Sequence, residues 1–320
     1  MRRLLVLRAL GLGDLLVAVP ALRGLRRHYP DHHLVLATPP SLAGLARRTG
    51  AVDEVLPTAT PAALAWPHTL PPEVAVNLHG RGPQSHEALD ATRPERRIGL
   101  RAPGWDGPEW TDIARDHPHE RERWCAVVEA FGVPTDPVDL VLAAGHRAPS
   151  DVVVIHPGAA FGSKRWPAER FADVAGSIED EHHRVVVTGS ADEQPLALRV
   201  ARLAGLPPDR VLAGTTDVEQ LADLVARAAL VVCGDTGIAH LATAFATPSI
   251  VLFGPVGPEQ WGPPPDGPHV VLTDAAERRG EPFADDPDPA LLGVGTADVR
   301  AAAAALLARA ARPLISEPGT

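Results

Sequence analysis

Three segments place chemically capable residues where apolar strand-like runs give way to helical patterns. The first is Gly11-Leu12-Gly13-Asp14. Two glycines permit a tight turn, and exposed backbone N–H groups with the helix dipole favour an ionised carboxylate at a helix start. Asp14 there suits either a base aimed into a cleft or an ordinary N-cap, where aspartate is strongly preferred. The segment is not a dinucleotide fingerprint, because G-x-G-x-x-G needs a third glycine where Leu16 stands.

The second segment runs from His156 to Pro167 and carries Ala159, Ala160, Lys164 and Arg165 ahead of a helix predicted to have Pro167 as its first residue. Small residues followed by a cation at a helix start suit an anion such as phosphate, since unpaired N–H groups, dipole and ammonium converge. It is not a Walker A loop, because Ser163 separates Gly162 from Lys164. A basic pair before a helix can equally be solvated surface. The third segment is Gly234-Asp235-Thr236-Gly237-Ile238-Ala239-His240. Its glycines and short hydroxyl let backbone approach a diphosphate, with His240 about one helical turn further on. Asp235 and Thr236 as plain caps, and His240 as a core histidine, explain the same pattern.

Other positions are weaker candidates. Ser190 and Glu193 follow one predicted strand and Thr215 another, while Thr216 and Glu219 have the spacing of a capping box. Asn77 ends a strand, where it can face a ligand or form a turn. The histidine groups, such as His32 and His33, fit no HExxH-like frame, so no metal site is predicted. Asp285, Asp286 and Asp288 have a D-x-D look, yet they lie in Pro-rich acidic sequence and read as solvated loop.

These segments need elements to hold them. Short β-branched runs alternate with helical patterns, the signature of βαβ units and parallel sheets. In the first half strands are predicted at about 3–8, 33–37, 53–56 and 73–78, with helices near 14–28, 40–48 and 119–131, and 101–120 as loop. In the second, strands at 151–158, 183–190, 210–214, 230–235 and 249–254 alternate with helices at 167–180, 192–204, 217–228 and 236–246. Sequence from 255 to 290 looks irregular, and Thr296 can cap a last helix. The reading is α/β: an N-terminal domain over 1–146, a second over 147–295, a linker at 143–151, and a helical segment, 296–320, returning to the N-terminal domain. In open parallel sheets ligands bind beyond the carboxyl ends of the strands, where all three segments fall.

Composition sets the class. The chain has 320 residues, 45% hydrophobic and 22% charged, enough for two cores by the rule of about 150 residues per domain. A formal charge of −10 argues against nucleic acid as a partner, which requires a basic face. Arg8 and Asp14 interrupt the apolar N-terminal run, so it reads as folded protein rather than signal peptide or membrane span, and membrane contact is peripheral at most. Cys125 and Cys233 form no CxxC pair, which suits a reducing cytoplasm. All basic residues but one are arginine, leaving Lys164 as the only lysine; Asn77 is the only asparagine.

The order of the segments resembles glycosyltransferase family nine, the heptosyltransferases. The resemblance rests on LRALGLGDLLVAVPAL, HPGAAFGSKRWPAERFADVA and the longer TTDVEQLADLVARAALVVCGDTGIAHLATAFATPSIVLFGP. It implies a GT-B fold of two facing Rossmann-like, doubly wound domains. It also implies an inverting, metal-independent transferase without a cofactor, moving a heptose or similar sugar from a nucleotide diphosphate donor such as ADP-heptose to a glycan or glycolipid hydroxyl in cell-envelope synthesis. By this resemblance Asp14 is the general base, with Gly13 and Asn77 on the acceptor side. Lys164 neutralises the donor phosphates, and Asp235, Thr236, Gly237 and His240 contact sugar and diphosphate. Ala159 and Ala160 stand where family members often have hydroxyls, so the phosphate bed would be backbone. Ser190, Glu193 and Thr215 fall on the nucleoside side. Two other readings compete: an inactive nucleotide-sugar-binding protein, and an NAD-linked or epimerase-type enzyme, which the absent third glycine disfavours.

Overall fold

The computed structural model of the protein describes residues 1–143, 150–180 and 182–310, so most of the expected linker, and residues 311–320, lie outside the described residues. Contacts group the chain into two compact units, one of Met1–Ala143 with Asp217–Ala222 and Glu259–Trp261, the other holding the remainder.

The first unit contains strands β1 (Arg3–Leu7), β2 (His33–Thr38), β3 (Glu54–Pro57), β4 (Val74–Asn77) and β5 (Arg96–Ile98), all parallel in the order β3-β2-β1-β4-β5. β1, β2 and β4 are almost wholly buried, which explains their continuous apolar runs: covered on both faces, they have no alternation to display. The strand order reverses between β1 and β4, so the loops leaving Leu7 and Asn77 diverge there and open a crevice. The helix expected over 14–28 is two, Leu12–Val17 and Val19–His28, broken at Ala18. Pro20 causes the break, having no N–H to donate and a ring that crowds the preceding turn. The stretch expected as loop holds helix Trp110–Asp116, in which only Ile113 is buried, too little for a visible period. Helix Glu120–Glu129 closes as expected at Gly132, whose φ of +80° suits glycine.

The second unit contains β6 (Val152–His156), β7 (Arg184–Val187), β8 (Leu230–Gly234), β9 (Ser249–Leu252) and β10 (His269–Leu272), parallel in the order β10-β9-β8-β6-β7. Here the reversal lies between β6 and β8. The strand expected at 210–214 is reduced to one bridge, Val187 with Val211, because the chain turns away at Gly214, φ +76°. β10 lies in the sequence expected to be irregular, a strand of only four residues directly after Gly267-Pro268. Helix Val218–Arg227 begins one residue later than the Thr216/Glu219 pattern implies: Asp217 and Gln220 form the reciprocal cap, at 2.8 and 2.9 Å.

The last described helix, Thr296–Ala310, corrects an expectation. It packs within the second unit, where Val299, Ala303 and Leu306 join the core with Leu230, Val232, Ile250 and Phe171. The i, i+4, i+7 spacing makes one narrow apolar stripe, and the second sheet covers it. Trp166 and Arg170 both donate to the Val294 carbonyl, at 3.2 and 2.8 Å, tying in the approach to this helix.

His269, opening β10, lies 2.8 Å through Nδ1 from Ser249 Oγ, and burial lowers its pKa from 6.5 to about 4. A depressed histidine contributes stability that is complete above its unfolded value and lost as pH falls through the folded one. We therefore expect the unfolding free energy to fall between pH 6.5 and 4, by less than about 3 kcal/mol because solvent screens the partly exposed ring, and His269→Gln to flatten that part of the profile. Urea titrations across the range test this; equal slopes for both proteins refute it.

Candidate active site

β6 and β8 flank the reversal of the second sheet, and the residues following them meet. Lys164 Nζ donates to Asp235 Oδ2 at 2.7 Å, with the lysine side chain 22% exposed and the aspartate 6%. Lys164 ends a short 3-10 turn, Gly162–Lys164, and Pro167 proves to be the N-cap rather than the first residue of helix Ala168–Ile178, its ψ of 137° being extended. Glycine at 234 permits the approach, since a Cβ there would stand 3.0 Å from the Lys164 carbonyl oxygen. Asp235 is thus an ion-pair partner and not a cap. Thr236 is the N-cap of helix Gly237–Ala244, yet its side chain makes no capping hydrogen bond; the Ala239 N–H turns back to the Thr236 carbonyl at 3.0 Å, and the Gly237 and Ile238 N–H groups at the very start of the helix suit another acceptor. His240 lies half-buried on the same helix. An ammonium has three donors, so Lys164 can hold Asp235 and still reach an anion.

On the β7 side, Glu193 Oε2 accepts from the Ser190 N–H at 2.8 Å, and the same carboxylate fills the space where Gly158 would carry a Cβ. Gly214 N donates to the Gly189 carbonyl at 3.0 Å, which seats the Thr215 turn beside the Ser190 loop; the Thr215 hydroxyl donates to Leu212. His156 Nδ1 lies 3.0 Å from Thr188 Oγ1, and burial holds its pKa below the usual value against the opposing charge of Glu193, so the ring is neutral at pH 7. Ala159 is buried with its carbonyl accepting from Arg165 Nε at 2.9 Å, whereas Ala160 is exposed.

The acidic stretch is not solvated loop throughout. Asp288 is completely buried and accepts from the backbone N–H of Ala290 (3.0 Å), Gly280 (3.2 Å) and Arg279 (3.3 Å). Residues 282–288 strap the lysine loop: Ser163 N donates to Ala284, Ser163 Oγ to Pro282, and Asp288 N back to Ser163. A Cβ on Gly162 would collide with the Asp285 backbone. The overlooked signal is Asp288-Pro289, a cap followed by proline at the first helical position. We expect Asp288→Ala, which orphans three N–H groups, to lower stability by about 1–3 kcal/mol, measurable as a reduced urea midpoint; an unchanged midpoint contradicts this.

In the first unit, Asp14 is the third residue of helix Leu12–Val17, whose N-cap is Gly11, and Gly13 lies within its first turn. Its Oδ2 accepts from Gly11 N at 3.3 Å and its Oδ1 from Arg8 Nη2 at 3.4 Å, with the side chain 32% exposed. Arg8, in the sequence only a charge interrupting an apolar run, is buried. Asn77 corrects its acceptor-side assignment: fully buried, it donates to Ser85 Oγ and accepts from the His79 N–H, both at 3.0 Å, so it shapes the turn. His79, which follows it, has its pKa lowered by burial and by Arg8, against Asp14.

A profile of glycosyltransferase family 9 (heptosyltransferase) matches residues 111–279. Among curated proteins, lipooligosaccharide heptosyltransferase 2 of Haemophilus influenzae is 36% identical over 114 residues, 34% of this chain and 32% of that protein. Lipopolysaccharide heptosyltransferase 2 of Escherichia coli K12 is 37% identical over 109 residues, 32% and 31% of the two chains. The aligned segment thus spans about a third of these relatives' length. Among solved structures, a family 9 glycosyltransferase from Veillonella parvula superposes with a TM-score of 0.79 at 21% identity, covering 96% of this chain and 98% of the other. E. coli ADP-heptose heptosyltransferase II gives 0.74 at 20%, covering 96% and 99%. The two parallel-sheet α/β units are therefore those of a GT-B glycosyltransferase fold. Since the profile takes in more than half of the sequence, with the Lys164 and Asp235 loops inside it, the chain belongs to glycosyltransferase family 9, the heptosyltransferases.

Proposed function

We propose that the protein is an inverting glycosyltransferase that moves a heptose or closely related sugar from an ADP-sugar to a hydroxyl of a lipopolysaccharide-type glycan or glycolipid. The observation carrying this is the Lys164–Asp235 pair at the switch point of the second sheet, beside an N-terminus with no side-chain cap. Relatives named as lipopolysaccharide heptosyltransferases, and an E. coli heptosyltransferase solved with ADP, support the donor and acceptor class.

In this reading Asp14 takes the proton of the acceptor hydroxyl as its oxygen bonds to the anomeric carbon. The bond from that carbon to the diphosphate oxygen breaks, its electron pair leaving on ADP. Lys164, rather than a divalent cation, faces the charge that develops there, aided by N–H groups of helix Gly237–Ala244. Thr236, Gly237 and His240 line the sugar-diphosphate side, Ala159 and Ala160 give the phosphate bed, and Ser190, Glu193 and Thr215 serve the nucleoside. The proposed location is cytoplasmic, with membrane contact at most peripheral; among the described residues no helix is long and apolar enough to cross a membrane.

Calorimetric titration with ADP, UDP, GDP, dTDP and NAD tests the donor assignment. Selective ADP binding, followed by ADP release from ADP-heptose with heptose-deficient lipopolysaccharide as acceptor, is the expected result. Selectivity for another diphosphate changes the donor. NAD alone, or no binding, defeats the reading, and ADP binding without turnover points to a binding protein.

A further inference from the structure

We infer that Arg8 is a positioning residue for the reaction: its buried guanidinium fixes the Asp14 carboxylate in the orientation from which it takes the acceptor's proton. This rests on the reading of Asp14 as general base.

Arg8 directly follows β1 at the reversal of the first sheet and is only 1% exposed. Its donors fan out to the elements that form the crevice. Nε donates to the Asp14 carbonyl at 2.9 Å, Nη2 to Asp14 Oδ1 at 3.4 Å, and Nη1 to the carbonyl of Leu78, just past β4. The guanidinium carbon lies 4.7 Å from the ring centroid of Trp124. That ring is fixed in turn, its Nε1 donating to Glu120 Oε1 at 2.8 Å while Arg123 holds the other Glu120 oxygen at 3.0 Å.

Burying a cation is costly, and an apolar side chain of similar volume would fill a core equally well. What an apolar side chain lacks is a rigid planar fork that grips backbone and carboxylate together. Arg8 supplies one grip on Asp14 and the Gly11 N–H the other, so each carboxylate oxygen has one donor. Both contacts are long, 3.4 and 3.3 Å, and the side chain is 32% exposed, which leaves lone pairs for an incoming hydroxyl. Lysine reaches one of these acceptors but cannot span all of them. His79 adds no competing cation: Arg8 and burial both lower its pKa, so it is neutral at pH 7.

The test is a double-mutant cycle on Arg8 and Asp14, read by single-turnover ADP release from ADP-heptose with heptose-deficient lipopolysaccharide. ADP affinity and thermal unfolding are followed alongside, because Arg8 is buried. In the wild-type background Arg8→Met should slow turnover by about 10²-fold and Arg8→Lys by about 10-fold, with ADP affinity unchanged. In the Asp14→Asn background the same changes should cost less than about twofold, since a group that acts only through the carboxylate has nothing left to position. If Arg8→Met does not fold, Arg8→Lys decides alone. Equal losses in both backgrounds, or an Arg8→Lys protein as fast as wild type, overturn the inference while leaving the base assignment intact. An Asp14→Asn protein with wild-type turnover overturns the base assignment first, and this inference with it.

Discussion

Asparagine at position 14 is expected to reduce turnover by about 10² to 10⁴-fold, the usual worth of a positioned general base, with ADP affinity within about twofold of wild type. The amide matches the carboxylate in size but cannot take the proton, and its nitrogen cannot accept from the Gly11 N–H or from Arg8. The loss should appear in the chemical step, because an interaction made only as the hydroxyl gives up its proton lowers the rate without weakening donor binding. Single-turnover ADP release, with ADP titrated in parallel, separates the two effects. Turnover near the wild-type level would falsify the role of Asp14; a parallel collapse of ADP affinity would mean that the substitution disturbs more than the base.

The parts of the fold that the sequence displayed were those with strong periodicity. β1, β4, β6 and β8 are buried apolar runs, and the helices between them bury one face, so their alternation was legible. β5 was not: Arg96-Arg97-Ile98 is three residues at a sheet edge, with only Ile98 buried. The closing helix was legible as a helix and misplaced in space, because Val299, Ala303 and Leu306 mark a face without naming the surface that covers it.

The site divided in the same way. Lys164, Asp235 and Asp14 stood out because they follow strand ends in sequence segments with a recognisable order. Partners distant in the chain left no local mark. Arg8 looked like a charge interrupting an apolar strand until Leu78 and Trp124 converged on it, and Asp288 looked like solvated acid until three N–H groups folded around it. Arg8 is buried by partners far along the chain, which neither periodicity nor spacing reports, whereas the donors to the Asp288 carboxylate lie within nine residues and its local mark was the cap-proline pair Asp288-Pro289.

Removing the only lysine should have the second large effect. We expect Lys164→Ala to weaken ADP binding by about 10- to 100-fold, the range for loss of a charge-assisted contact of about 1.5–3 kcal/mol. Turnover should fall as well, since the departing diphosphate gains charge that no cation then balances. The substitution also strands Asp235, 6% exposed and deprived of its 2.7 Å partner, next to where a diphosphate would bind. Breaking a buried pair from one side costs more than removing both charges, so Lys164→Ala should lower the unfolding midpoint and a Lys164→Met, Asp235→Asn double variant should recover it. ADP affinity should not recover with it, because the double variant still lacks the ammonium. Lys164→Arg should fall between, keeping charge but replacing a compact three-donor head with a planar fork. This pattern distinguishes a ligand-facing lysine from a structural one: if stability and affinity return together in the double variant, the pair only holds its loops in place, and if Lys164→Ala binds ADP within about twofold of wild type, the donor site lies elsewhere.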